Sequence, residues 1–324
     1  MTNCVECTPA QAAKLLLEQE RFTILIHRHP DGDTIGSGMA LLHALRDMGK
    51  QVRLHSPDPI SRRYGLVVED EDTTAGLENS FVVAVDVADP ALLGRLEEEY
   101  GHRVDLCVDH HPSNKRYAKN LLLRGEYASC CEAVYELLLA LGCTITPQMA
   151  NGIYLGASTD TGCFRYGNTT ANTHFVASKA IEAGANHGMI NRVIFETVTP
   201  QRMVFESRVK ETLQYFYGGH CALMYQLQSA FEGLDVDESE LEGISNIPRT
   251  IEGVEVGVTV RQQADGSCRI SLRSSDFVDA SEICQRFGGG GHKRAAGCTI
   301  QATPEEAGMA VVKAIGDYFP GQSL

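Results

Sequence analysis

The sequence predicts an α/β chain in two parts: a doubly wound, mainly parallel sheet, then a smaller α+β domain. Three observations carry this. Short apolar runs at 22–26, 81–85 and 104–108 are β-branched and nearly continuous, which suits strands buried on both faces of a parallel sheet. Helical patterns lie between these runs, and strands alternating with helices of that length build parallel units. Beyond residue 200 the order changes to paired strands around Ala264-Asp265-Gly266, a hairpin signal.

Helix starts are marked by Thr-Pro pairs at Thr8-Pro9, Thr146-Pro147, Thr199-Pro200 and Thr303-Pro304. Threonine accepts hydrogen bonds from orphan amide groups as N-cap, and proline at the first helical position loses nothing by lacking its own N–H. Thr8 with Gln11 and Thr303 with Glu306 also fit the capping box. The spacing predicts a helix over 9–20, the first strand over 22–26, and a helix over 34–48 that Gly49 stops. A short strand at 51–55 precedes an irregular stretch to residue 79. The run at 81–85 feeds a helix capped by Asp89 with Pro90 at its first position, and helices over 129–141 and 147–157 follow the run at 104–108. Cys130 and Cys131, adjacent at a helix start, read as packing residues. Cys4-Val5-Glu6-Cys7 reads as a frayed terminus, because a zinc site needs a second pair and none of that spacing exists.

Residues 184–200 change the character of the pattern, which places a first domain at 1–188, a linker at 189–199 and a second domain at 200–324. The second domain reads as a helix from Pro200, a strand at 220–226, hairpin strands at 254–261 and 267–273, a helix over 280–287, and a final strand and helix.

Composition bounds the function. At 324 residues the chain has room for two domains. No apolar run approaches the roughly 18 residues of a membrane span, and the N-terminus lacks a basic segment before an apolar core, so a soluble cytoplasmic protein is expected. Eleven cysteines, an odd number scattered through apolar runs, fit reduced thiols and not a disulfide framework. A net charge of −14 argues against broad electrostatic binding to long nucleic acid. A small phosphorylated substrate is compatible, because metals and a few arginines reverse the field inside one cleft.

Four segments rich in acids and histidines follow apolar runs: His27-Arg28-His29-Pro30-Asp31-Gly32-Asp33, Asp86-Val87-Ala88-Asp89, Asp109-His110-His111 and Asp160-Thr161-Gly162. Parallel strands deliver their C-termini to one edge, where α/β sheets bind ligands, so scattered motifs converge in space. Carboxylates and imidazoles without thiolates favour Mn²⁺, with Mg²⁺, Co²⁺ or Fe²⁺ as alternatives, over structural zinc. Asp31 and Asp33 lie two apart in a glycine-containing loop and can reach two different ions, while Asp86 can bridge both. Two ions roughly 3.5–4 Å apart can activate a shared water and grip phosphoryl oxygens for in-line attack on phosphorus.

Taken in order, His27-x-x-Pro30-Asp31-Gly32-Asp33, Asp86, Asp109-His110-His111 and Asp160 resemble the four motifs of the DHH phosphoesterases. Gly288-Gly289-Gly290-Gly291-His292 resembles the signature of the associated DHHA1 substrate domain. The similarity spans nearly the whole chain. Length and domain order most resemble the small oligoribonuclease group, which includes pAp phosphatases and stand-alone cyclic di-AMP or pApA phosphodiesterases. Carried over by position, the resemblance implies that His27 and Asp31 hold one Mn²⁺, that Asp33, His110 and Asp160 hold the other, and that Asp86 bridges them. It further implies a homodimer, and a His111 that faces the substrate phosphate as proton donor or electrostatic stabiliser. Asp109 is placed behind the histidines, orienting one of them, because metal-bound imidazoles usually bond a partner through the other nitrogen. Position 29 carries His where family members often have Asn, a departure outside the ligand set.

Several consecutive glycines let main-chain N–H groups turn toward one anion, so Gly289, Gly290 and Gly291 read as a phosphate cradle to which His292, Lys293 and Arg294 add donors and charge. Arg273 is the candidate to grip a second phosphate through a bidentate fork, and Arg165, just after the Asp160 motif, is a further candidate. Metals in one domain and an anion cradle in the other imply a cleft suited to short substrates. The expected activity is release of mononucleotides from short oligonucleotides such as pApA, with pAp as a further substrate. Cyclic di-AMP hydrolysis is the alternative within the family. A nucleotide sensor without catalysis is the rival from another class, and it would be expected to lack one of the six ligands, all of which are present.

Overall fold

A computed structural model describes residues 4–69, 71–236, 238–241 and 243–322. The chain divides into two compact units, Met1–Thr197 and Val198–Leu324.

Strands β1 (Val5–Glu6), β2 (Arg21–Leu25), β3 (Gln51–His55), β4 (Phe81–Val85), β5 (Leu106–Asp109) and β6 (Asn120–Leu123) form the sheet of the first unit. All pairings are parallel, in the order β1-β6-β5-β4-β2-β3. The chain leaves β2 for β3 on one side and returns to β4 on the other. The order therefore reverses between β2 and β4, the kind of switch point where open α/β sheets bind ligands.

Around this sheet lie α1 (Pro9–Leu17), α2 (Gly32–Asp47), α3 (Gly65–Val68), α4 (Glu97–Tyr100), α5 (Cys130–Ala140), α6 (Pro147–Asp160), α7 (Ala171–Glu182) and α8 (His187–Asn191). Side chains alternate across each strand. Ile24, Val83, Val85, Leu106 and Val108 pack with buried residues of α1, α2, α5 and α6, and Leu25, Val82, Ala84 and Cys107 pack with Leu93, Leu96 and Tyr100 on the other face. Helices α2 and α6 touch backbone to backbone. A Cβ at Gly36 would lie 2.2 Å from the Gly152 carbonyl oxygen, and one at Gly152 2.5 Å from that of Gly36. That contact draws the start of α2 and the end of α6 together.

The four Thr-Pro starts are capped as expected: Thr8, Thr146, Thr199 and Thr303 each accept from the amide three residues on. Several expectations need correction. The Cys4–Cys7 segment is paired, not frayed: β1 lies on β6, with Val5 N–H donating to Lys119 O and Cys7 N–H to Leu121 O. Both partners are too short to declare themselves by periodicity. Asp89 caps its helix through Ala91 N–H, but the helix is a tight 3₁₀ stretch, Pro90–Leu96, broken where Gly94 takes φ +53° before α4 begins. Helix α1 ends at Leu17, three residues early. Residues expected as linker from 189 onward are helical through 196, with Ile190 buried and Ile194 O accepting from Arg63.

The second unit opens with α9 (Pro200–Lys210) and holds a sheet of β7 (Gln214–Phe216), β8 (Cys221–Gln226), β9 (Val256–Gln262), β10 (Cys268–Ser274), β11 (Gly290–His292) and β12 (Ala295–Ile300), in the order β11-β12-β10-β9-β8-β7. Only β8 and β9 run parallel among these pairs. Helices α10 (Ala280–Gln285) and α11 (Pro304–Ile315) cover Val256, Val258, Ile270, Leu272 and Ala296, while Phe205 and Val209 of α9 pack with Met224 on the opposite face. The mixed α+β second domain is thus as expected. Among the described residues no helix is long and apolar enough to cross a membrane, and all eleven cysteines are free.

Candidate metal centre

The four acidic segments meet at the carboxyl edge of the first sheet. His27 and Asp31 follow β2, Asp86 follows β4, and Asp109 ends β5 with His110 and His111 just beyond. Asp160 comes from the last turn of α6. Asp31 is the N-cap of α2 and accepts from the amides of Asp33 and Thr34 at 3.1 and 3.2 Å. Thr34 Oγ1 donates to Val85 O at 3.1 Å, which ties the start of α2 to the residue before Asp86. Asp86 itself takes φ +59°, a conformation that costs energy in a residue with a Cβ and is common where a side chain must be aimed.

Three groups of three result: His27 with Asp31 and Asp86, His110 with Asp33 and Asp160, and a third, overlapping one of Asp86, His110 and His111. Nε2 of His27 lies 3.6 Å from Asp31 Oδ1 and 3.5 Å from Asp86 Oδ2. Nε2 of His110 lies 3.8 Å from Asp33 Oδ2 and 3.4 Å from Asp160 Oδ2, and also 3.5 Å from Asp86 Oδ1. The ligand atoms within each trio lie within 4.8 Å of one another, close enough to hold a cation, and Asp86 reaches both sets with different oxygens. Asp86 Oδ1 and His110 Nε2 are buried with no hydrogen-bond partner. Buried polar atoms are normally satisfied, so two orphans facing each other fit a divalent cation as their missing partner.

Surrounding bonds fix the ligand atoms. The Nδ1 atoms of His27 and His110 lie 2.8 Å from Arg28 O and 3.2 Å from Tyr127 O. Donation there leaves each Nε2 with its lone pair toward the carboxylates. Asp33 is fully buried, and its two oxygens accept from the amides of Cys130 (2.6 Å) and Cys131 (2.9 Å), the first residues of α5. The cysteine pair thus does more than pack, because its backbone presents the positive end of a helix to Asp33. Gly156 is required beside it: a Cβ there would lie 2.4 Å from Asp33 Oδ1 and 2.1 Å from Cys131 Sγ.

Asp109 is also fully buried. Its Oδ1 accepts from His111 Nδ1 at 2.9 Å and from the amides of His110 and His111, and its Oδ2 accepts from Asn114 Nδ2 at 2.6 Å. Asn114 escaped sequence reasoning, since an asparagine three residues past a histidine pair carries no distinctive spacing. Position 29 is left-handed, φ +51°, a region asparagine and histidine both tolerate, and His29 N–H donates to Asp58.

Burial first and the Asp86 charge second push the Asp33 carboxyl up to about 7. Burial, with Asp33 and the other carboxylates behind it, holds Asp160 well above the usual range. Burial also works to raise Asp31, but the His27 ring and two backbone amides outweigh it and hold that group at about 2. For His111 burial opposes the charge, yet the Asp109 bond and the Asp86 carboxylate prevail and push it up to about 9. Such crowding of carboxylates is what a bound divalent cation relieves.

Arg165 does not join the cluster of ligand atoms; it is exposed, with Nε donating to Gly162 O at 2.6 Å. In the second unit, Arg273 on β10 donates from Nε to Asn246 Oδ1 at 3.0 Å and from Nη1 to Leu272 O. The glycine run is an edge strand and not an open loop. Gly290, Gly291 and His292 pair with Gly297, Ala296 and Ala295 of β12. A Cβ at Gly289 would lie 2.2 Å from Gly297 O and one at Gly291 2.6 Å from Ala295 O, so the neighbouring strand itself demands these two glycines. His292 is exposed, and Arg294 Nη2 stands 3.9 Å from Asp276 Oδ1.

The chain is similar to several known proteins. The bifunctional oligoribonuclease and PAP phosphatase NrnA of Thermus thermophilus is 29% identical over 283 residues, covering 86% of this chain and 83% of that protein. The cyclic-di-AMP phosphodiesterase GdpP of Geobacillus thermodenitrificans is 25% identical over 332 residues, 95% of this chain but 49% of that protein. The crystal structure of an exopolyphosphatase-related protein from Bacteroides fragilis shares the fold, with a TM-score of 0.88 at 23% identity over 96% of each chain. Residues 21–157 match the model of the DHH family N-terminal domain and residues 221–320 that of the DHHA1 domain, so the chain belongs to the DHH family and carries both domains.

Proposed function

We propose that the chain is a two-metal phosphoesterase that hydrolyses short oligonucleotides such as pApA to mononucleotides and also dephosphorylates pAp. The observation that carries this reading is the pair of buried orphan atoms, Asp86 Oδ1 and His110 Nε2, where Asp86 of the His27 trio meets His110 of the trio with Asp33 and Asp160. His27, Asp31 and Asp86 would hold one ion and Asp33, His110, Asp160 and Asp86 the other. The all-oxygen and imidazole donor set favours Mn²⁺. Two such ions supply Lewis-acid charge for a phosphoryl group under in-line attack.

The chain's own groups do the rest. His111, kept protonated by Asp109 and Asp86, offers a proton for the departing oxygen. Asp109 acts through His111, fixing its ring by the Nδ1 bond. Arg273, His292 and Arg294, with the β11 backbone, would take the far phosphate, and Arg165, five residues beyond Asp160 in the sequence, would be a further phosphate contact. The names of the relatives support substrates of this size. Free cysteines throughout the chain support a reducing, cytoplasmic setting.

A Mn²⁺-dependent panel of pApA, cyclic di-AMP, pAp, RNAs of several lengths and pyrophosphate tests the assignment. Preference for pApA and the shortest RNAs is the expected result. A dominant cyclic di-AMP rate would move the substrate within the family, and comparable turnover of long RNA would defeat the short-substrate reading.

A further inference from the structure

Beside the basic turn of the second unit stands a large aromatic side chain that the metal centre and its phosphate contacts do not use. Phe277 follows the end of β10 and is 51% exposed. Isolated exposed hydrophobic residues are ordinary, so exposure alone decides nothing. What distinguishes Phe277 is how firmly its backbone is held. The carboxylate of Glu255, itself buried, accepts from the amides of Asp276 (3.0 Å), Phe277 (2.8 Å) and Val278 (2.9 Å). Val278 is fully buried while Ser275, Asp276 and Phe277 are exposed, so Phe277 is the large apolar side chain on the outer side of a pinned turn.

The same turn is fastened to the cationic segment. Ser274 N–H donates to Arg294 O at 3.0 Å, and Ala280 N–H to Lys293 O at 2.8 Å. Arg273 and His292 stand opposite the same residue, Ala295, on the two sides of β12. One end of the sheet thus gathers Arg273, His292, Lys293, Arg294 and Phe277. Behind the ring, Phe319 meets it edge-on at 5.6 Å and 68°, and Phe319 is in turn stacked on Tyr217 (5.4 Å, 14°) and His220 (5.7 Å, 8°). The aromatic wall limits how far the exposed ring can move.

We propose that Phe277 is a stacking platform for the terminal nucleobase of the substrate, beside cations that take its phosphate. Base stacking on an aromatic ring tolerates any base, whereas the adjacent charges demand a phosphate. The inference deepens the nucleotide reading given above and rests on it for the class of ligand.

The chain contains no tryptophan, so Phe277→Trp introduces a single tryptophan at the platform, excited selectively over the eleven tyrosines. Emission of this variant is titrated with AMP and, separately, with ribose 5-phosphate, both without added metal. Quenching by AMP and none by ribose 5-phosphate is expected. Phe277→Ala and Phe277→Leu should each raise KM for pApA by on the order of tenfold or more with kcat nearly unchanged, because stacking remote from the reacting phosphate binds ground and transition states alike. Unchanged Trp emission with AMP, equal responses to both ligands, or wild-type KM in folded Ala and Leu variants would overturn the proposal. If AMP quenches while nothing in the panel is hydrolysed, the platform stands and the enzymatic reading fails. If pApA is hydrolysed while AMP leaves the emission unchanged, the platform fails and the enzymatic reading stands.

Discussion

Gly156→Ala should damage the proposed metal centre without replacing any of its candidate ligands. The new Cβ would sit 2.1 Å from Cys131 Sγ and 2.4 Å from Asp33 Oδ1, against an ordinary contact of roughly 3.5 Å for such atoms. More than ~1 Å of separation must be found somewhere. Sliding α6 outward would carry Asp160, one turn further along the same helix, away from His110. Moving the Asp33 carboxylate instead would pull it from the amides of Cys130 and Cys131, now at 2.6 and 2.9 Å. Overpacking of this kind costs about 1–3 kcal/mol, which for a unit of this size lowers Tm by several degrees. Displacing a ligand's support costs on the order of 10- to 100-fold in metal affinity. Calorimetric Mn²⁺ titration and thermal melts measure both. Adding Cys131→Ala removes the sulfur clash but leaves the carboxylate clash and a 2.8 Å approach to the Cβ of residue 131, so the double variant should regain part of the lost stability and stay weak for metal. Gly65→Ala, a helical glycine with open space around it, is the control. Wild-type Mn²⁺ affinity in Gly156→Ala would refute the placement of Asp33 as a ligand held by α5.

Asn114→Leu removes the donor on Asp109 Oδ2, so kcat for pApA should fall about 10- to 100-fold with metal content unchanged, checked by steady-state kinetics and metal analysis. Loss of bound metal instead would make Asn114 a support of the whole centre and not of His111. The pH response follows from groups held above their ordinary values. Asp33 at about 7 and His111 at about 9 each favour the folded state while protonated, and that contribution is lost as pH rises through those values. Asp31, held at about 2, contributes stability that is lost only when pH falls through that value, outside this window. The chelated protein should therefore melt at lower temperature as pH rises from 5 to 9, while the stabilisation gained from Mn²⁺ grows, since binding requires the deprotonated ligands. A Mn²⁺ shift that shrinks with rising pH would contradict the assignment.

Much of the first unit can be read from the sequence because its signals are local. β-Branched runs declare β2, β4 and β5, and Thr-Pro caps declare four helix starts. The site motifs are legible for the same reason, since parallel strands must bring their ends to one edge. What escapes depends on distant partners. β1 and β6 are two and four residues long and exist through each other and β5. The roles of the Cys130 and Cys131 amides belong to a helix terminus whose target, Asp33, lies almost a hundred residues earlier. Gly36 and Gly152 look like ordinary helix-weakening glycines until the two helices are seen in contact. The glycine run suggests a ligand cradle, yet part of its composition is set by the strand beside it.

In the proposed metal centre one buried carboxylate, Asp86, faces the candidate ligands of both cation sites with different oxygens. Equilibrium dialysis of Mn²⁺ against wild type and Asp86→Ala tests this most directly. Two tightly bound ions per chain in the wild type and loss of both in the variant are expected. Retention of both ions by Asp86→Ala, or no tight binding by the wild type, would contradict it.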